Sequence, residues 1–228
     1  MALVDRIGGI PLFQGLPDKQ LEEIAGITTE QKYDKGQTLF SEGAKATGFY
    51  VIVSGKVKIY KLSLEGKEQI LHIFGHGEFF GEVPVFAGGQ YPAHAETLDP
   101  TSVLFFSRDG FMGLIKKEPS LAMNMLAILC HRLRRFTHLV EDLSLKEVPG
   151  RLAAYLLYMS DRNNAASRFE LDITKGQLAS LLGTIPETLS RILGRMSQQE
   201  LIRVEGRNIV LLNREAIESL AAGEKLVA

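Results

Sequence analysis

Apolar residues follow three different rhythms along the chain. Around residues 17–26, Leu16, Leu21 and Ile24 recur at helical spacing and predict a short amphipathic helix. From about residue 28 to 108 the apolar positions gather into short runs, TLF, FYVIVSG, KVKIYKL, EQILHIF and SVLFFS, separated by turns that contain Gly. Short β-rich runs at this spacing predict an antiparallel barrel or sandwich. Gly36, Gly43, Gly55, Gly66, Gly75 and Gly77 punctuate it, mostly where a turn calls for unusual φ.

The third rhythm begins at Ser120. No Gly or Pro interrupts the chain from there to about Leu145, which predicts one long helix. Met125, Leu129, Leu133, Phe136, Val140 and Leu143 step by four, four, three, four and three, as in a coiled-coil seam. A displaced stripe holds Leu121, Ile128 and Leu139. Two stripes imply two partners, the β-rich region on one side and a second copy of the helix on the other.

Pro149 opens a further helix, PGRLAAYLLYMSD, followed by the polar RNNAAS. Residues 174–196 then read as two short helices joined by a tight turn at Gly183. Thr174 with Gln177, and Thr184 with Glu187, each fit a capping box. Leu178, Leu181 and Leu182 would pack the first helix on the second. In the second helix Leu189, Ile192, Leu193 and Met196 share one stripe, which leaves Glu187, Ser190, Arg191 and Gly194 on the opposite side. A carboxylate, a hydroxyl and a guanidinium without bulky apolar neighbours suit a helix that enters a DNA major groove. LIRVEGRNIVLL supplies two strands with a turn at Glu205-Gly206, the wing of a winged helix, and a last helix starts near Asn213. The predicted organisation is α+β: a β-roll (jelly-roll) domain over 1–118, a dimerisation helix over 119–146, and a winged helix-turn-helix domain over 147–228. Residues near Glu147 to Gly150 are the expected hinge, because Pro149-Gly150 breaks the helical pattern.

Composition narrows the chemistry. The 26 Lys and Arg nearly balance the 27 Asp and Glu, so nucleic-acid binding must come from a local surface and from dimer symmetry. The single cysteine, Cys130, excludes an internal disulfide and an iron–sulfur cluster held by several cysteines of one chain. No apolar run reaches the roughly 18 residues that span a bilayer, and the N-terminus is a poor signal peptide. A cytoplasmic location is the expectation. No nucleophile elbow, P-loop, His-Glu metal motif or telling carboxylate pair appears, so an enzyme is not expected.

Gly-punctuated strands, a long helix and a winged helix-turn-helix, in that order, resemble the CRP/FNR family of bacterial transcription regulators. The resemblance spans nearly the whole chain and is most specific in GEFFGEVPVF (77–86) and PETLSRIL (186–193). Residues 57–71 and 140–157 look most similar to the branch containing the nitric-oxide-responsive DNR and HcpR regulators. The resemblance implies a homodimer that binds palindromic promoter DNA and touches RNA polymerase. Glu187, Ser190 and Arg191 fall on the Glu-x-x-Ser-Arg of FNR-like members, which implies a TTGA-type inverted repeat. Thr184, Thr188 and Arg195 flank that face, the last two as phosphate contacts.

The effector pocket implied by the resemblance involves Gly81 and Glu82, with Phe79, Val83 and His94 close by. Where cAMP-binding members carry Arg-Ser, this chain has Pro92 and Ala93; Pro offers neither charge nor N–H, so cAMP is disfavoured. The branch resemblance makes haem with nitric oxide the candidate effector system. His72, His76, His94 and His131 are the candidate axial ligands, and none has a spacing that singles it out. His131 and His138 share a helix face that reads as solvated. The alternative function is a small-molecule sensor module whose winged domain binds another protein.

Overall fold

A computed structural model describes residues 3–223, apart from the side chains of Arg135 and Leu139. It forms two compact units, residues 1–133 and 134–228. The division falls inside the long helix.

The first unit opens with α1 (Leu3–Gly8), a 3-10 turn at Pro11–Phe13 and α2 (Asp18–Gly26). The strands follow: β1 (Thr28–Tyr33), β2 (Thr38–Phe40), β3 (Gly48–Ser54), β4 (Val57–Leu62), β5 (Glu68–Phe74) and β6 (Phe79–Phe80). A short α3 (Val83–Ala87) interrupts before β7 (His94–Thr97) and β8 (Thr101–Ser107). They form two four-stranded antiparallel sheets, ordered β1-β8-β3-β6 and β2-β7-β4-β5. The predicted barrel is therefore present as two facing sheets.

Period-two alternation divides the core in two. On β3, Phe49 and Val51 face the helices; on β8, Leu104 and Phe106 do the same. Their neighbours Tyr50, Ile52 and Val103 point into the space between the sheets. The close pairing of β3 with β8 leaves no room at Gly48, where a Cβ would lie 2.1 Å from the Phe106 carbonyl oxygen. The helical layer also includes α4 (Arg108–Lys117), capped by Ser107 accepting from the Gly110 N–H (3.3 Å).

Next comes α5 (Pro119–Leu145). The structure redraws the stripes expected on it. Leu121 and Met125 are buried in the unit's own core, and Ile128 and Leu129 pack partly against it. Met125 and Leu129 thus face inward rather than along the expected seam. The reason is helical phase: 121, 125 and 128/129 share one face, and that face meets the helical layer. The exposed large apolar side chains described on α5 are Met123, Leu126, Leu133, Phe136, Val140 and Leu145. Leu143 is half-buried, and the side chain of Leu139 lies outside the described residues.

The second unit contains α6 (Val148–Arg162), β9 (Arg168–Glu170), α7 (Lys175–Leu181), α8 (Pro186–Gln198), β10 (Ile202–Glu205), β11 (Asn208–Leu211) and α9 (Arg214–Ala221). The strands make one antiparallel sheet ordered β10-β11-β9. The tight turn of the wing is at Gly206-Arg207, one residue later than expected, with Gly206 at φ 64°. The 147–150 segment is firmly tied. Arg151 donates from its backbone to Glu147 (3.1 Å) and from Nη1 to the Lys146 carbonyl (2.9 Å), and a Cβ on Gly150 would lie 3.0 Å from the Leu220 carbonyl oxygen. No described helix is long and apolar enough to cross a membrane.

Candidate nucleic-acid interface and sensor site

The reading element is built from its buried side outward. Leu178 and Ala179 of α7 and Leu182 after it are buried; Leu181 is half-buried. The Thr174 capping box forms in full: Gln177 N–H donates to Thr174 Oγ1 (3.2 Å), and Thr174 N–H donates to Gln177 Oε1 (2.8 Å). Gly183 takes φ 67° in the turn, where an L side chain would be strained.

The second expected box does not form. Ile185, not Thr184, is the N-cap of α8, without a side-chain cap bond, and Pro186 occupies the first turn. Pro at N1 is pre-set for helix and fixes the start there. Thr184 instead sits in the turn, its N–H donating to the Ala179 carbonyl (2.9 Å).

Leu189, Ile192, Leu193 and Met196 are all buried. The opposite face presents Glu187, Ser190, Arg191 and Gly194 to solvent. Among the described residues Glu187, Ser190 and Arg191 have no side-chain partner. Thr188 and Arg195 are half-buried on the flanks. The wing guanidiniums differ, for Arg168 meets Glu205 (3.1 Å) and Arg207 meets Glu170 (3.5 Å). The interface thus offers an unpaired Glu-Ser-Arg face beside self-neutralised wing charges.

The residues expected around an effector are closed in by comparison. Gly81 takes φ 78°, and a Cβ there would lie 3.3 Å from both Phe40 and Tyr91. Those rings stack at 3.7 Å between centroids, and Tyr91 Oη donates to the Gly48 carbonyl (2.8 Å). Phe80 stacks on Tyr50 in the same interior. Glu82 is buried, and its Oε1 accepts from Arg132 Nη1 of α5 at 2.9 Å. Arg132 Nη2 donates to the Phe79 carbonyl, and the guanidinium lies over the rings of Phe79 (4.1 Å) and Phe74 (4.8 Å). Burial pushes the Glu82 carboxyl above its ordinary value against the pull of Arg132.

Of the other expected pocket residues, Phe79 is part of the core under the helices, Val83 is exposed, and His94 stacks on Tyr60. Pro92 brings no cation of its own; beside it Lys61 donates to its carbonyl (3.0 Å) and pairs with Glu42. Arg108 donates from Nε to the Val85 carbonyl (2.9 Å).

Four of the five histidines have partners within the fold. His72 lies beside Glu78 (3.9 Å) and edge-on to Phe74, His76 Nδ1 bonds the Val53 carbonyl (2.7 Å), and His94 Nδ1 accepts from the Glu42 N–H (3.3 Å). His138 pairs with Glu141 (3.5 Å), and His131 and Cys130 are exposed on α5. No metal-binding group of His, Cys, Asp and Glu occurs among the described residues.

The sequence had not pointed to Arg132, Phe40 or Tyr91. Arg132 had a legible signal, a lone guanidinium seven residues beyond Met125 on the core-facing stripe.

Two family models match, a cyclic nucleotide-binding domain over residues 30–118 and a Crp-like helix-turn-helix domain over residues 150–220. A CRP-like cAMP-activated global transcriptional regulator of Mycobacterium tuberculosis is 30% identical over 210 residues, covering 90% of this chain and 94% of that protein. The fumarate and nitrate reduction regulatory protein of Escherichia coli is 29% identical over 218 residues, covering 93% of this chain and 87% of that protein. The solved structure of FixK2 from Bradyrhizobium japonicum matches with a TM-score of 0.76 at 28% identity, over 87% of this chain and 100% of that one.

Proposed function

The chain belongs to the CRP/FNR family of DNA-binding transcription regulators, and from that premise we propose that it acts as a homodimer reading a TTGA-type inverted repeat through α8. The observation that carries this is the bare Glu187-Ser190-Arg191 face, held outward by four buried residues behind it. Arg191 would bond guanine at O6 and N7, Glu187 would accept from cytosine N4, and Ser190 would serve either base or a phosphate. Thr188 and Arg195 would anchor phosphates and fix the register.

The second copy is supported by α5. Met123, Leu126, Leu133 and Val140 are exposed, and with Cys130 and Thr137 they step by three and four along the helix. That is the spacing of a two-stranded seam, displaced from the one the sequence suggested. Two copies would present two α8 helices to half-sites about one DNA turn apart. RNA polymerase is the further partner implied by the family resemblance.

For the effector, the stacking of Phe40 on Tyr91 beside Gly81 and the lack of a charged side chain at Pro92 and Ala93, where the nearby Lys61 is already paired with Glu42, argue against cAMP. A haem-borne nitric-oxide signal has support only from the resemblance of residues 57–71 and 140–157. Whatever binds would act by favouring one of two dimer arrangements that differ in affinity for DNA. An ultraviolet–visible titration with haemin and nitric oxide tests the haem reading, which a missing Soret shift would remove. Fluorescence anisotropy with a TTGA inverted-repeat duplex tests the main reading: binding lost in Arg191→Ala, with dimer and fold intact, is expected. Equal affinity of the wild type for a scrambled duplex would refute it and favour a winged domain that binds protein instead.

A further inference from the structure

The start of α8 breaks a helix rule that the start of α7 obeys. Thr174 caps α7 reciprocally with Gln177. Ile185 caps α8 with no side-chain bond, and Ile is among the poorest N-cap types. Its side chain is also 51% exposed, two residues before Glu187. Pro186 explains where the helix starts, but it does not call for an exposed Ile in front of it. A β-branched hydrocarbon half in water at this position is available to a partner outside the chain. Local violations of this kind collect at functional sites.

Place and chemistry together name the partner group. The N-terminal residues of a recognition helix lie nearest the base edges. The one apolar feature that base pairs show in the major groove is the thymine C5-methyl. We infer that Ile185 is a specificity-determining residue that packs on a thymine methyl of the half-site. This rests on the DNA-reading function proposed above and extends it, adding an apolar contact to the polar set of Glu187, Ser190 and Arg191. The backbone carbonyl of Ile185 already accepts from the Leu189 N–H (3.1 Å), so the side chain is fixed at the root by the first helical turn.

Replacing thymine by deoxyuracil removes the methyl and leaves pairing intact, so it tests this contact alone. Each thymine of a TTGA inverted repeat is replaced in turn, in both half-sites, and affinity is followed by anisotropy. One methyl is worth about fourfold per half-site, so roughly 16-fold for the symmetric pair. The wild type is expected to show that loss at one thymine position. Ile185→Ser should bind the thymine duplex more weakly, show no uracil penalty at that position, and melt higher by about 2–4 °C because Ser caps α8. A flat uracil scan for the wild type, or an unchanged uracil penalty in Ile185→Ser, overturns the assignment. Arg191→Ala separates the two levels: if it loses binding while the uracil scan is flat, only the role of Ile185 fails. If it binds like the wild type and scrambled DNA competes equally, the DNA-reading function fails and this contact with it.

Discussion

The polar groups at Gly81–Glu82 and those on α8 are opposites. Glu82 is buried and Arg132 half-buried; they are paired with each other, and the guanidinium lies over the rings of Phe74 and Phe79. Glu187, Ser190 and Arg191 are exposed and have no partner among the described residues. Folding has consumed the hydrogen-bonding capacity of the first set and left that of the second unspent. A buried charge must be satisfied inside the protein or it destabilises the fold. An exposed one can wait for a ligand. This is why the outer face of α8 suggests a ligand class by its chemistry while the surroundings of Glu82 do not: in the first unit the same residue types already serve one another.

The largest test of that contrast is Arg132→Ala. It strands Glu82 in the core and should cost the first unit about 3–5 kcal/mol, read by urea denaturation. A loss under about 1 kcal/mol would mean that the site is open to water and the contrast false. Leu133→Ala probes the surface of α5, removing an apolar side chain from both copies of the seam. Dimer association should weaken by about 3 kcal/mol in sedimentation equilibrium, with the thermal melt of the dissociated chain unchanged. Arg191→Ala should reduce affinity for the specific duplex by about 1–3 kcal/mol and leave the urea midpoint where it was. A shifted midpoint would show that Arg191 is committed within the fold after all.

The smallest effect lies at the N-terminus. Arg6 meets Glu30 through two bonds of 3.0 Å each, and with Ser102 they hold the Glu30 carboxyl down to about 2. A lowered carboxyl contributes stability above its ordinary value and loses it as pH falls from there toward about 2. The pair is partly solvated, so Glu30→Gln should cost less than about 1 kcal/mol at neutral pH and flatten the acid limb of the stability curve by that amount.

The fold was largely legible because its strands and helices carry strong periodicity. FYVIVSG, KVKIYKL and EQILHIF are where they were expected, and so are α5, α7 and α8. The misses have particular causes. β1, TTEQKY, has little apolar content and is a strand because its six residues pair with β8 from Thr28–Phe106 to Tyr33–Thr101. α4 carries Gly110 and Gly113, which lower any helical signal. β9 is three residues long and is held by β11. On α5 two leucine-rich faces lie so close in phase that spacing alone assigned Met125 to the wrong one. At α8 the steric preference of Pro186 overrode the side chain of Thr184. The outward residues of α8 were readable because an amphipathic helix shows its outer face by its inner one. The Glu82–Arg132 pair joins residues fifty apart, which no local pattern reveals.

In the proposed dimer, the exposed apolar line along α5 would make the folded state subject to mass action. Exposed side chains such as Leu126 and Val140 would gain burial on pairing, so part of the stability would scale with how many copies are present. Melting temperature should therefore climb with protein concentration. Diluted samples would lose the paired geometry before either unit unravels, and a scarce regulator would fall silent through dissociation alone, whatever signal it carries.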